Sequence, residues 1–193
     1  MKILHSLALL TLSSALLVAA PEAKKESQID EVIKQGKESS MLLVKTLGKN
    51  MQEHMKKGGP MEALNFCSSE AYSLTQAVNK TLPAGVSLKR ISTKYRSPAN
   101  TPTDNEQTIL DSLESLQKLG VIMPEYIVEK IDDKTFKYYK PLLMENEACL
   151  KCHGNVKDID LKRAIAERYP LDKAMGYEMN DLRGAVVVTV KTK

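Results

Sequence analysis

Between Ser27 and Lys57 the apolar residues Ile29, Val32, Ile33, Leu43, Val44, Leu47, Met51 and Met55 fall at roughly helical spacing. This pattern predicts one long amphipathic helix. Gly58-Gly59 is expected to end it, and Pro60 suits the first turn of a second helix. Along that second helix Leu64, Cys67, Ala71, Leu74 and Val78 run i, i+3, i+7, i+10, i+14 and share one face. From Val86 to Arg96 the period changes to two. Ile91, Thr93 and Tyr95 then lie on one side and Arg90, Ser92, Lys94 and Arg96 on the other, as in a half-buried strand. The turn-rich run Ser97 to Pro102 follows, and Thr103 with Glu106 has capping-box spacing for a third helix running to about Leu119 and stopping at Gly120. Tyr126 to Ile131 and Thr135 to Met144 read as two strands of a hairpin joined by Asp132-Asp133-Lys134. After a cysteine-containing loop, Asp160 is expected to cap a short helix ending before Pro170, and Gly184 to Val190 reads as a buried last strand. Helices first and strands later predict an α+β domain with an antiparallel sheet.

Length and composition bound what this domain does. Fourteen of the first twenty residues are apolar, Lys2 precedes a Leu-rich stretch, and Val18-Ala19-Ala20 is a run of small residues. Residues 1–20 therefore read as a secretory signal, with an uncleaved membrane anchor as the competing reading of the same segment. Residues 21–193 are then one compact domain, expected in the periplasm, where disulfides form and haem is attached to thiols. Lys plus Arg number 28 against 24 Asp plus Glu, and both signs are spread along the chain. That balance disfavours a nucleic-acid partner. Trp is absent and Phe occurs twice, so Leu, Ile, Val, Met and Tyr must build the core.

The chemistry is concentrated in Cys149-Leu150-Lys151-Cys152-His153, a CxxCH motif. Two residues between the thiols let both sulfurs reach one porphyrin edge, and the histidine that follows is held against the iron. A CxxC disulfide or half of a zinc site are the alternatives. The first needs a βαβ context that this region lacks, and the second needs further Cys or His at suitable spacing, which a single distant Cys and a single distant His supply poorly. Haem c, one group covalently attached, is thus the expected cofactor. For the iron's second axial position the residues leave several readings open: Cys67, His54, one of the methionines, or an open site. His54 lies in the polar stretch Gln52-Glu53-His54 and reads as solvated. Cys67 is an odd thiol in an oxidising compartment, which leaves it a ligand, a buried spectator or half of an intermolecular disulfide.

The run Arg90-Ile-Ser92-Thr-Lys94-Tyr-Arg96-Ser-Pro98-Ala-Asn100-Thr-Pro102, with Glu106, Pro141, Cys149 to Gly154, Tyr169 to Tyr177 and Asp181 to Gly184, resembles the PAS-like single-haem c proteins long catalogued as a domain of unknown function. The similarity spans nearly all of residues 21–193. It implies N-terminal helices packed on a PAS-like antiparallel sheet, and a second axial ligand from a cysteine on an early helix, here Cys67 in Asn65-Phe66-Cys67. Ser97 and Asn180 depart from the pattern, standing where Asn and Gly are usual; Asn180 must then take a turn position that asparagine tolerates best. The row Arg90, Ser92, Lys94, Arg96 reads first as a solvent-facing strand side and second as a partner for haem propionates, and Tyr95 and Tyr177 read as packing residues. No catalytic constellation is evident, so an enzyme is the weaker expectation. A redox or small-gas (CO or NO) sensor module is expected, with a soluble electron carrier as the alternative and a separate signalling or redox protein as the partner.

Overall fold

A computed structural model describes residues 27–192; the expected export segment, residues 1–20, lies outside them. Helix α1 (Gln28–Ser69) opens with a capping box between Ser27 and Asp30. It is two helices in sequence, because Gly58 (φ −153°, ψ 23°) and Gly59 (φ 68°, ψ −157°) are non-helical and Pro60 follows. Gly59 sits in the left-handed region that side chains disfavour, so the glycine pair that was expected to end the first helix makes a kink within one continuous run. The second expected helix divides differently: the α1 portion from Pro60 stops at Ser69, and α2 (Ala71–Thr81) begins after Glu70.

Strands β1 (Val86–Ile91), β2 (Ile127–Lys130), β3 (Thr135–Leu143) and β4 (Leu182–Lys191) form one antiparallel sheet in the order β1-β4-β3-β2. Helix α3 (Asp104–Lys118) starts at the predicted Thr103/Glu106 box. Helix α4 (Glu147–His153) and helix α5 (Ile159–Arg168) fill the connection from β3 to β4. Asp158, not Asp160, caps α5, its carboxylate accepting from two backbone N–H groups at 3.0 Å. The fold is therefore the expected α+β class with its helical N-terminus packed on the sheet.

Both faces of β4 are covered, which explains its valines. Val186, Val188 and Val190 join Phe136 and Tyr138 beneath Val32 and Leu43 of α1. Ala185 and Val187 face the other way, against Ile91, Tyr139 and Leu110 of α3. Helix α1 lies so close to the sheet that a Cβ on Gly36 would stand 2.2 Å from Cγ of Tyr138. Among the described residues no helix is long and apolar enough to cross a membrane.

Two smaller clusters hold the β3–β4 connection. Leu64 of α1 packs with Val156, Leu161 and Ile165, and Met144 packs with Ala174 and Tyr177. Cys152 borders the first cluster and Cys149 the second, so α4 is gripped on both sides. Asn180, at φ 68°, is the single non-glycine residue with positive φ among the described residues, in the turn position its asparagine suits.

Candidate functional site: a cleft lined by three cysteines and a histidine

The CxxCH motif was expected in a loop, but it forms α4. Asn146 caps that helix by accepting from the Ala148 N–H at 2.8 Å, and the Gly154 N–H closes its C-terminus on the Leu150 carbonyl at 2.8 Å. One helical turn separates Cys149 from Cys152, placing both on the same side of the helix, and His153 follows as its last residue.

His153 is oriented by the segment before β4. Its Nδ1 lies 2.9 Å from the Ala174 carbonyl, which only accepts, so Nδ1 carries the proton and Nε2 keeps a free lone pair. The backbone repeats the link, with the Tyr177 N–H donating to the His153 carbonyl at 3.0 Å. Burial holds the imidazole pKa well below its ordinary value, reinforced by Arg183 and Arg96 and opposed by the Ala174 carbonyl. The ring is neutral at neutral pH. Tyr177 packs edge-on against it, centroids 6.3 Å apart. Tyr177 was expected only to fill space; it fills space against the histidine.

Cys67 reaches this region from α1. It is not the buried spectator that its helical face suggested: Cys67 is exposed, and its exposure is into the cleft. A cavity of about 160 Å³ is lined by Cys67, Cys149, Cys152, His153, Met51 and Met55 among others. Cavities of about 290 and 130 Å³ adjoin it through His153, and Cys67 also lines the smaller of them. Together they fall in the roughly 300–1,000 Å³ range of cofactor pockets. The surrounding protein pushes the Cys67 thiol up in pKa by desolvation, against the pull of Arg90 and Arg96. Burial raises the Cys149 and Cys152 thiols likewise.

The basic row does not face solvent. The ladder ends at Ile91, and the Ser92 N–H donates instead to the Asn100 carbonyl at 3.1 Å, so alternation stops where the chain leaves the sheet. Arg96 turns inward, bonding the Asp172 carboxylate at 3.2 Å and the Cys152 and Ala174 carbonyls at 2.7 and 3.1 Å. It thereby ties α4 to the segment that orients His153. Arg183 donates to Ser92 Oγ at 2.7 Å and to the Lys94 carbonyl at 3.1 Å. Arg90 has no such duty. Its Nε is buried without a hydrogen-bond partner, and its side chain lines both cavities beside the cysteine cleft. Burial lowers its pKa, and its strongest compensating neighbour is Cys67. A guanidinium with one buried, unmet donor at the edge of a cavity is a candidate partner for an anion.

His54 does not line the cleft, and its side chain is only partly exposed. It stacks on Phe66 with centroids 5.0 Å apart, and its Nδ1 lies 3.0 Å from Glu62 Oε1, across the Gly58-Gly59 kink. Among the described residues no three His, Cys, Asp or Glu side chains converge on a point as a zinc site requires. The three cysteines and His153 instead line one cavity.

A helical N-terminus on an antiparallel sheet, with a CxxCH helix clamped at a thiol-lined cleft, makes this an α+β domain with one candidate site between its helices and its sheet. The chain belongs to the Tll0287-like family, whose model matches residues 24–191. A solved structure of the cyanobacterial heme-protein Tll0287 has the same fold, with a TM-score of 0.53 at 19% sequence identity, covering 91% of this chain and 98% of that one. No curated protein gives a match.

Proposed function

We propose that this chain is an exported c-type haem protein of PAS-like build, in which one haem is joined by thioether bonds to Cys149 and Cys152 and its iron is held between His153 and Cys67. The observation that carries the reading is the convergence of those four side chains on one cleft, with the His153 lone pair left free by Ala174. When bound, the haem supplies a one-electron redox centre and an iron that takes a small gas.

The protein's own groups set the terms. Ala174 fixes the tautomer and ring plane of His153, and Tyr177 braces its edge. Arg96 holds the α4 backbone to the same segment. Arg90 offers its unmet donor to a propionate carboxylate or to the Cys67 thiolate, both anions of the proposed site. Cys67 as thiolate favours the ferric state, because an anionic donor stabilises the higher charge. Held less firmly by ferrous iron, Cys67 would yield its place to a softer ligand such as CO or NO, and its departure would free the second half of α1, which is a sensor's output. The Tll0287 structure is described as a heme-protein, in keeping with this assignment. The reading is of a redox or gas-sensing module rather than an enzyme: His54, the other imidazole of the described residues, is turned to Glu62 and Phe66. Its place is the periplasm, as residues 1–20 suggest.

The test is the Soret band of haem-loaded protein reduced with dithionite, with and without CO. A shift on adding CO supports the sensor. An unchanged band would make the protein an electron carrier whose ferrous iron keeps two protein ligands.

A further inference from the structure

Two sulfurs in the cleft are used by nothing so far. Met51 and Met55 stand i and i+4 on the first half of α1, hence on one face, and both line the cavity shared by Cys67, Cys149, Cys152 and His153. Cys67 belongs to the other half of α1, beyond the kink at Gly58-Gly59. The cleft therefore presents one thiol from one helix segment and two thioethers from the other. His54 and Glu62, 3.0 Å apart, join the two segments across the kink.

We infer that Met51 and Met55 are the ferrous-state donors of this site: reduction exchanges Cys67 for a methionine thioether. This rests on the haem reading above. A thiolate suits ferric iron, whereas a neutral, soft thioether suits ferrous iron. The exchange balances simply. One electron from an external one-electron reductant goes to the iron. The iron–sulfur bond to Cys67 breaks with its electron pair left on sulfur, which takes a proton from water, and a bond forms from a lone pair of a methionine sulfur. The consequence is mechanical. In the ferric protein the second half of α1 is tied to α4 through the haem; in the ferrous protein the first half is, so the bend at Gly58-Gly59 becomes the bistable element that reports redox state.

The test uses the full chain loaded with haem, its attachment verified by intact mass, and labelled with methyl-¹³C methionine. On reduction with dithionite one methionine methyl resonance should move far upfield under the porphyrin ring current while the iron stays low-spin. In the Met51→Leu/Met55→Leu double variant, whose side chains keep their volume, that resonance and the low-spin ferrous spectrum should both be lost, with the ferric spectrum unchanged and the reduction potential lowered. The single variants identify which sulfur binds. A wild-type ferrous protein without a shifted methyl, or a double variant with an unaltered ferrous spectrum, overturns the inference and leaves the haem assignment standing. Absence of covalent haem in the mass spectrum would overturn the haem assignment itself, and this inference with it.

Discussion

Cys67 carries the sharpest residue-scale consequence. Cys67→Ala should convert the ferric spectrum of the haem-loaded protein from low-spin thiolate-ligated to high-spin or water-ligated, and His54→Ala should leave it low-spin. An unchanged Cys67→Ala spectrum would remove Cys67 from the iron. The four residues of the proposed centre were readable at different depths. Cys149, Cys152 and His153 follow from a spacing whose chemistry is local. Cys67 needed a resemblance, because a lone thiol on an apolar helical face looks the same whether it is buried or lines a cleft. Arg90 was hidden for another reason. Alternation along residues 86–96 placed it on a solvent side, but the face it shares with Leu88 is the one that α1 covers, and its side chain lines the cavities beside the cleft. Tyr177 and Ala174 contact His153 from more than 20 residues away in sequence, a closeness created only by the return of the chain into β4.

At the scale of elements, the local signals held and the boundaries moved. The Thr103/Glu106 box starts α3 because its two groups are three residues apart and need no tertiary help. Tertiary structure then adds to Glu106 what no local pattern shows: its buried carboxylate receives Lys89 at 2.7 Å and Lys137 at 2.9 Å. Burial would raise its pKa, but the bonds from Lys89, the Thr103 N–H and Lys137 outweigh it and hold the carboxyl below its ordinary range. With the folded pKa depressed, the stabilisation is present above the unfolded value of about 4.3 and is lost as pH falls through the folded value. Thermal unfolding followed by circular dichroism should show Glu106→Gln costing about 1–3 kcal/mol at neutral pH and a smaller difference in acid. Equal losses at both pH values would show that the ion pairs contribute nothing.

Helix–sheet packing makes a second element-scale prediction. A methyl group on Gly36 collides with the Tyr138 ring, which is itself fully buried. Gly36→Ala should therefore destabilise by about 1–3 kcal/mol despite the better helix propensity of alanine. At about 2–4 °C per kcal/mol for a chain of this size, the melting temperature should fall by several degrees. A rise in melting temperature would mean that α1 sits further from β3 than its position here. The sequence puts Gly36 on the helical face of Val32 and Leu43, but nothing in it names Tyr138 as the ring that face meets.

For the whole molecule, the sheet is a rigid floor and the helices form the adjustable part. Valines buried on both faces of β4 leave the sheet little freedom, whereas α1 is broken at Gly58-Gly59 and spans from the sheet to the cleft. The α+β order of elements was legible because helical and strand periods occupy separate stretches of the chain. The cleft was not, since it is assembled from both halves of α1, the end of β1 and its connection to α3, α4 and the start of β4. Everything functional proposed for this member of the Tll0287-like family depends on one group filling that cleft and being bound to its two α4 sulfurs. The most direct test is intact-mass spectrometry of the protein produced by a host with haem c maturation machinery. The account predicts the polypeptide plus one haem, retained under denaturing conditions and lost when Cys149 and Cys152 are both replaced by alanine. A colourless product with the mass of the bare polypeptide would contradict it.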